Sequence, residues 1–243
     1  MPDRFIWRIV YCALIVLSLF IAIKTAEAQP RADVCMAVGL DASGSIDDGE
    51  MRLQLEGLAL ALTHPRFMRA LRSGRHGLIA IAVFTWADGL EGVRVVVPWF
   101  GIAAEKEAQA VALALREHAQ PHAVRSTSLL IAIQAGARAL AECPWFADRQ
   151  LLNVAGDGHT NIGPSPAVAR DMAIERGIVI NGLVVGGDPA ALAHYEAEVI
   201  GPAGVGFVVD VPTFERFADA MLNKLLLELA AAPIGTSTTD GRN

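Results

Sequence analysis

The sequence predicts an α/β domain: a doubly wound, mainly parallel six-stranded sheet with one antiparallel edge strand and helices on both faces. Three observations carry this reading. Short apolar runs alternate with helical patterns, as right-handed crossovers between parallel strands require. One neighbouring pair of runs has no helix between its members, so it can only form a hairpin-type pair. Glycine is abundant (22 residues) and aromatics are sparse (6%), a balance that suits tight strand–helix turns. At 243 residues and 53% apolar, the chain is far from a disordered composition and long enough for one sizeable core.

Val34–Leu40 is the first buried strand, and it ends in Asp41-Ala42-Ser43-Gly44-Ser45. Asp48–Thr63 has helical spacing, with Met51, Leu55, Leu58 and Leu62 on one side. Asp47 and Asp48 are placed to cap it. Gly77–Thr85 is a second buried strand. Val93–Trp99 is a third, and its Arg94 and Pro98 mark an edge. Trp86–Gly92 is too short for a crossover, so this strand runs antiparallel beside the second. Trp86 and Trp99 bracket the pair as core or edge cover. Ala103–Ala119 and Thr127–Glu142 are amphipathic helices. Leu151–Ala155 is the fourth strand, entering Gly156-Asp157-Gly158. Pro166–Arg176 follows as a helix, Ile178–Val185 as the fifth strand, Ala190–Val199 as a helix, Gly206–Asp210 as a short last strand and Thr213–Ala230 as a final helix. No repeat or linker interrupts residues 29–232, which form one domain. Residues 233–243 read as a flexible polar tail.

The first 28 residues read as a signal peptide. Arg4 and Arg8 precede an uncharged run from Ile9 to Ile23, and Ala26-Glu27-Ala28 offers a small-residue cleavage site. Fifteen uncharged residues fall short of the ~20 that a spanning helix usually needs, which favours cleavage over the alternative of an uncleaved anchor. Cleavage would leave 215 residues and, by removing Arg4, Arg8, Lys24, Asp3 and Glu27, shift the net charge from −6 to −7. The expectation is an exported protein, periplasmic or secreted, with no membrane attachment once the leader is removed. Its acidic balance argues against nucleic acid as a partner. Cys12 would leave with the leader, and Cys35 and Cys143 would remain. A paired count in an oxidising compartment predicts one disulfide; in the cytosol the same two residues would be unrelated buried thiols.

Asp41, Ser43 and Ser45 are a carboxylate and two hydroxyls on a tight turn at the end of a strand. Hard oxygen donors of this kind suit Mg²⁺, Mn²⁺ or Ca²⁺. They also suit helix capping. An EF-hand loop is excluded, because the sixth position is Ile46 and the twelfth is Arg52. A serine-hydrolase elbow is excluded, because Ser43 is flanked by Asp41 and Ser45 rather than by glycines. There is no phosphate-binding glycine signature after a strand. Asp157 closes the fourth strand and would face the Asp41 loop if strands one and four are neighbours. Thr127 precedes a helix at the same edge, with Ser126 as the competing hydroxyl. The histidines show no ligand-like spacing and read as surface residues, and no second metal cluster is visible.

With these residues in hand, the sequence resembles the von Willebrand factor type A domain over roughly residues 33–230. That family's metal-ion-dependent adhesion site follows the pattern Asp-x-Ser-x-Ser, then a distant Thr, then a distant Asp. By position, Asp41, Ser43 and Ser45 match the first part, Thr127 the second and Asp157 the third. The Gly156-Asp157-Gly158 run with Asn161 beyond it is similar to a bacterial exported subfamily of unknown function. One departure is local: Leu129-Leu130-Ile131-Ala132 follows Thr127, where the family often has Thr-x-Ile-Gly-x-Ala. The resemblance implies that Ser43 and Ser45 coordinate a cation, Mg²⁺ foremost, with Thr127 joining when ligand is bound. Asp41 and Asp157 would act through water. An ion with so few direct protein charges stays electrophilic, and a carboxylate from a protein partner can complete its shell. His159 and Asn161 lie on the same rim as candidate partner contacts. The expected function is therefore non-enzymatic: an exported, metal-dependent protein-binding module. Two other readings remain at this stage, a metal-assisted hydrolase and a structural domain with a vestigial site. Cys35 and Cys143 would both lie at the end of the sheet away from the metal.

Overall fold

Every residue of the first strand from Val34 to Asp41 is buried, as a central parallel strand covered on both faces requires. The structure is a computed structural model that describes residues 29–118 and 126–231; the expected signal peptide and the polar tail lie outside the described residues. The strands are β1 (Arg31–Asp41), β2 (Ile79–Trp86), β3 (Arg94–Ile102), β4 (Phe146–Gly156), β5 (Ile178–Val185) and β6 (Val208–Val211). The helices are α1 (Asp48–Thr63), α2 (Pro65–Arg72), α3 (Glu105–Glu117), α4 (Leu129–Ala141), α5 (Ala167–Glu175), α6 (Pro189–His194) and α7 (Phe217–Ala230). The six strands form one sheet in the order β3-β2-β1-β4-β5-β6. Only the β2–β3 pairing is antiparallel.

Alternation along the strands feeds two cores. Val34, Met36, Val38 and Leu40 point to one face, where α1, α2, α3 and α7 supply Leu58, Phe67, Val111 and Phe217. Cys35 and Ala37 point to the other, where α4 and α5 supply Leu129, Ile133 and Ala173. Contact on that second face is close. A side chain on Gly136 of α4 would come within 2.1 Å of Leu152 Cδ1 on β4, so only glycine lets this helix sit so near the sheet.

The six expected strands and the antiparallel edge are all present, and α1 keeps its expected bounds. The difference before β2 is α2. His64 ends α1 in an extended conformation, its side chain accepts from the Arg66 N–H, and Pro65 opens a new helix that buries Phe67, Met68 and Leu71. A restart this abrupt leaves no loop for a sequence reading to register. The expected helix over Ala190–Val199 is also divided, into α6 and a π-helical turn, Tyr195–Val199. Asp47 caps α1 in a reciprocal box with Glu50. Cys35 of β1 is bonded to Cys143, 108 residues away.

One polar cluster lies inside the sheet's α7 side. Lys224 and Glu228 are 0% and 1% exposed. Lys224 Nζ donates to Glu228 and to Asn153 of β4. Asn153 and Asn181 also donate to the Glu228 carboxylate, at 3.1 and 2.7 Å. Burial pulls the Lys224 ammonium below its ordinary pKa, against the opposing effect of Glu228. We expect Glu228→Ala to cost about 3–5 kcal/mol in urea unfolding, because it strands a buried ammonium. Lys224→Met combined with Glu228→Leu should cost less than the two single changes added together.

Candidate metal centre at the switch point of the sheet

The chain turns one way out of β1, towards β2, and later returns to the other side of β1 as β4. This makes the carboxyl ends of β1 and β4 the topological switch point, where open α/β sheets bind ligands. Asp41 is the last residue of β1, and Asp157 is the first after β4.

Asp41 is wholly buried. Its Oδ1 accepts from the Ser43 N–H at 2.7 Å, and its backbone carbonyl accepts from Nε2 of the buried Gln54 at 3.0 Å. The Ser43 and Ser45 hydroxyls lie 3.2 Å apart, and Ser45 Oγ donates to Asp157 Oδ1 at 2.9 Å. Four of the expected site residues are thus joined around one turn. The second Asp41 oxygen, Oδ2, is buried without a partner, as are the Tyr195 hydroxyl and Trp86 Nε1. These atoms surround Gly156. A Cβ there would sit 2.8 Å from Asp41 Oδ2, 2.9 Å from the Tyr195 hydroxyl and 3.3 Å from Trp86. Burial pushes the Asp41 carboxyl up to about 7; the Ser43 N–H opposes this, and the Asp157 carboxylate adds to it. Burial, with the charges of Asp41 and Asp157, likewise holds the Tyr195 phenol well above its ordinary pKa.

Thr127 is 5% exposed and bonds to Asn161, four residues beyond Asp157. The Thr127 N–H donates to Asn161 Oδ1 at 2.8 Å, and the Asn161 N–H returns to the Thr127 carbonyl at 3.0 Å. Asn161 is exposed, with its amide oxygen turned to this clamp. Ser126, the competing hydroxyl, is half-buried and donates its N–H to Asp88. His159 is exposed on the rim, edge-on to His194 at 6.4 Å between ring centroids. His194 is not the surface residue expected from the sequence. Its side chain is 19% exposed, Nε2 is buried without a partner, and burial holds the imidazole below its ordinary pKa.

This donor set fits a divalent cation. Two carboxylates face one turn, one of them buried with an unpaired oxygen, and two hydroxyls stand between them. A cation is what would relieve both the burial of Asp41 and its repulsion by Asp157. Gln54 and Tyr195 support the site and carry no spacing signal. The cue in the sequence was Gly156, which directly precedes Asp157. His76, read as surface, is half-buried between Asp33 and Asp148, and the three form a second ligand-type group absent from the sequence reading.

A family model described as "Protein of unknown function (DUF1194)" matches residues 31–233, and the chain belongs to that family. No curated protein matches it. Among solved structures, it is similar to proximal thread matrix protein 1 from the mussel byssus, described with a zinc-occupied MIDAS motif (TM-score 0.60, 16% identity, 83% of this chain and 49% of that one). It is also similar to a von Willebrand factor type A protein from Catenulispora acidiphila (0.55, 18%, 82% and 43%). A third is the pilus adhesin SpaC of Lactobacillus rhamnosus GG (0.55, 12%, 84% and 31%). The chain spans less than half the length of each. The likeness is one of fold, and the fold is that of the von Willebrand factor type A domain.

Two outcomes follow from this geometry. Gly156→Ala should weaken Mn²⁺ binding by at least about tenfold in calorimetry, since its Cβ would displace the Asp41 carboxylate; unchanged affinity would exclude Asp41 from the site. The second concerns pH. Between 3.8 and about 7 the folded metal-free protein holds a proton on Asp41 that the unfolded chain has released. Its stability should therefore fall as pH rises across that window, and added Mn²⁺ should raise the melting temperature more at pH 8 than at pH 5.

Proposed function

We propose that this member of the DUF1194 family is an exported protein-binding module, not an enzyme, whose site of Asp41, Ser43, Ser45, Thr127 and Asp157 uses a divalent cation to take a carboxylate from a protein partner. The observation that supports it most is the hydrogen-bonded turn from Ser43 through Ser45 to Asp157, beside a buried Asp41 oxygen left without a partner. Bound there, Mg²⁺ or Mn²⁺ would supply an electrophilic position open to an incoming acid group.

The chain's own residues divide the work. Asp41 and Gln54 fix the turn to the end of β1. Ser43 and Ser45 present neutral oxygens, which hold an ion without neutralising it. Asp157 orients the Ser45 hydroxyl. Thr127 stands on a neighbouring loop tied to the same rim by Asn161. His159 is exposed there to meet a partner. Export is supported by the leader-like sequence of residues 1–28 and by the Cys35–Cys143 bond, which oxidising compartments favour. Among the described residues no helix is long and apolar enough to cross a membrane.

Calorimetry should give one Mg²⁺ or Mn²⁺ per chain in the wild type and none at the same concentrations in Asp41→Ala. Capture from the exported fraction of the source cells should yield a protein that EDTA releases and that Asp41→Ala fails to hold. Replacing acidic residues of that protein one at a time should identify the carboxylate. Equal capture by Asp41→Ala, or by wild type in EDTA, would reject the reading.

A further inference from the structure

The opposite pole of the sheet carries a second group with ligand chemistry. Asp33 is the third residue of β1 and Asp148 the third of β4. The register pairs Ala32 with Ala147 and Val34 with Arg149, so the two carboxylates stand level on adjacent strands. His76 lies in the segment that enters β2. Asp33 locks that segment: its Oδ1 accepts from the His76 N–H at 2.9 Å, its Oδ2 from the Leu78 N–H at 3.1 Å, and its own N–H donates to the Leu78 carbonyl at 2.8 Å. One oxygen from each acid and one ring nitrogen of His76 lie within 4.8 Å of one another.

Two features of His76 point to a ligand. Nε2 is buried and has no hydrogen-bond partner, although the acceptor Asp148 Oδ2 is close by. The distance between them is 3.5 Å, long for a hydrogen bond. Two ligands on one tetrahedral ion, each bonded at 2.0–2.2 Å, stand about 3.3–3.6 Å apart. The histidine and Asp148 are thus already spaced as co-ligands, and Asp33 would need to close by roughly an ångström. Both Asp33 oxygens keep a lone pair beyond the backbone bonds they accept.

We infer that Asp33, His76 and Asp148 form a second metal site, for a borderline divalent ion of the zinc type, separate from the oxygen-only site at the other pole. One imidazole with two carboxylates is a zinc-type donor set that leaves a fourth position for water. Asp33 and Asp148 also line a cleft of about 180 Å³ with Arg75, Arg149 and Leu229, which gives an ion a way in. Arg149 attends both acids, and it is anchored by Nη1 to the Glu228 carbonyl at 2.7 Å. An ion here would tie together the starts of β1, β2 and β4, next to the Cys35–Cys143 bond.

The test uses Zn²⁺ and the full chain, and its failure can be told apart from failure of the adhesion-type site. Asp41→Ala, which disables the other pole, should still bind one Zn²⁺ and gain melting temperature with it. Adding His76→Ala or Asp148→Asn to that background should weaken Zn²⁺ binding by more than about 100-fold, beyond the cost of losing an outer-shell partner. Co²⁺ in the Asp41→Ala protein should give the visible absorption of a near-tetrahedral ion, and His76→Ala should abolish it. Asp148→Asn keeps the side chain's size, so loss of binding with an unchanged metal-free melting temperature reports ligation and not misfolding. Absence of Zn²⁺ from Asp41→Ala, or unchanged affinity in the His76→Ala and Asp148→Asn variants, would overturn the inference.

Discussion

The arrangement at the sheet's switch point depends on one costly placement, the burial of the Asp41 carboxylate beside Asp157. A carboxylate removed from water must find hydrogen bonds or a counter-charge, and Asp41 finds only part of what it needs. The Ser43 N–H satisfies Oδ1. Oδ2 is left without a partner, as are the Tyr195 hydroxyl and Trp86 Nε1. The protein meets this cost where the strand order reverses, and the surroundings serve to keep the acid in place. Gln54 reaches from α1 to hold its carbonyl, and Gly156 stays bare so that β4 can pass. Strain of this kind, kept by an otherwise well-packed fold, is what a cation bound at the proposed site would relieve.

Most of the architecture could be read from the chain because apolar periodicity is a local property. β1, β2 and β5 are buried along most or all of their length and give continuous apolar runs; the missing helix between β2 and β3 dictated their antiparallel pairing. What escaped was decided by single residues or by tertiary packing. α2 begins one residue after α1 ends, so His64 and Pro65 make a break without a loop. The π-helical turn at Tyr195–Val199 has the composition of an ordinary helix, and it sets the Tyr195 ring against Gly182 with its hydroxyl near Gly156. In the site, Asp41, Ser43 and Ser45 are legible because they share one turn, and Asp157 because glycines flank it at a strand end. Gln54 and Tyr195 have no such signal. Asp33, His76 and Asp148 become neighbours only through strand register, which no spacing rule encodes.

The two poles differ in chemistry as well as position. At the carboxyl ends of the strands, hydroxyls and carboxylates make a hard oxygen surface. At the opposite pole an imidazole joins two acids, and Arg149 tempers their charge. Between them the sheet is held by features that do not depend on either site: the Cys35–Cys143 bond joins β1 to the segment before β4, and the Lys224–Glu228 pair ties α7 to Asn153 and Asn181. Buried polar pairs of this kind contribute little net stability, but they admit few alternative registers between a helix and a sheet. The rim loops stand on a scaffold whose central strands are held by these bonds.

That division bears on how the rim would respond to a ligand. Thr127 and Asn161 hold each other reciprocally, the Thr127 N–H on the Asn161 side chain and the Asn161 N–H on the Thr127 carbonyl. Leu129, at the start of α4, adds a bond from its N–H to Thr160. These bonds join the loop that carries Asp157, His159 and Asn161 to the loop that carries Thr127. The Asp41 turn is fastened to α1 through Gln54 and to the end of β2 through the Ala42 N–H on the Trp86 carbonyl. The Thr127 loop is fastened beside it, by the Ser128 N–H on the Ala87 carbonyl and the Ser126 N–H on Asp88, and the Ser45–Asp157 hydrogen bond joins the Asp41 turn to the loop after β4. A ligand that drew in Thr127 would act through these contacts, which connect the proposed metal site to the loop that carries His159.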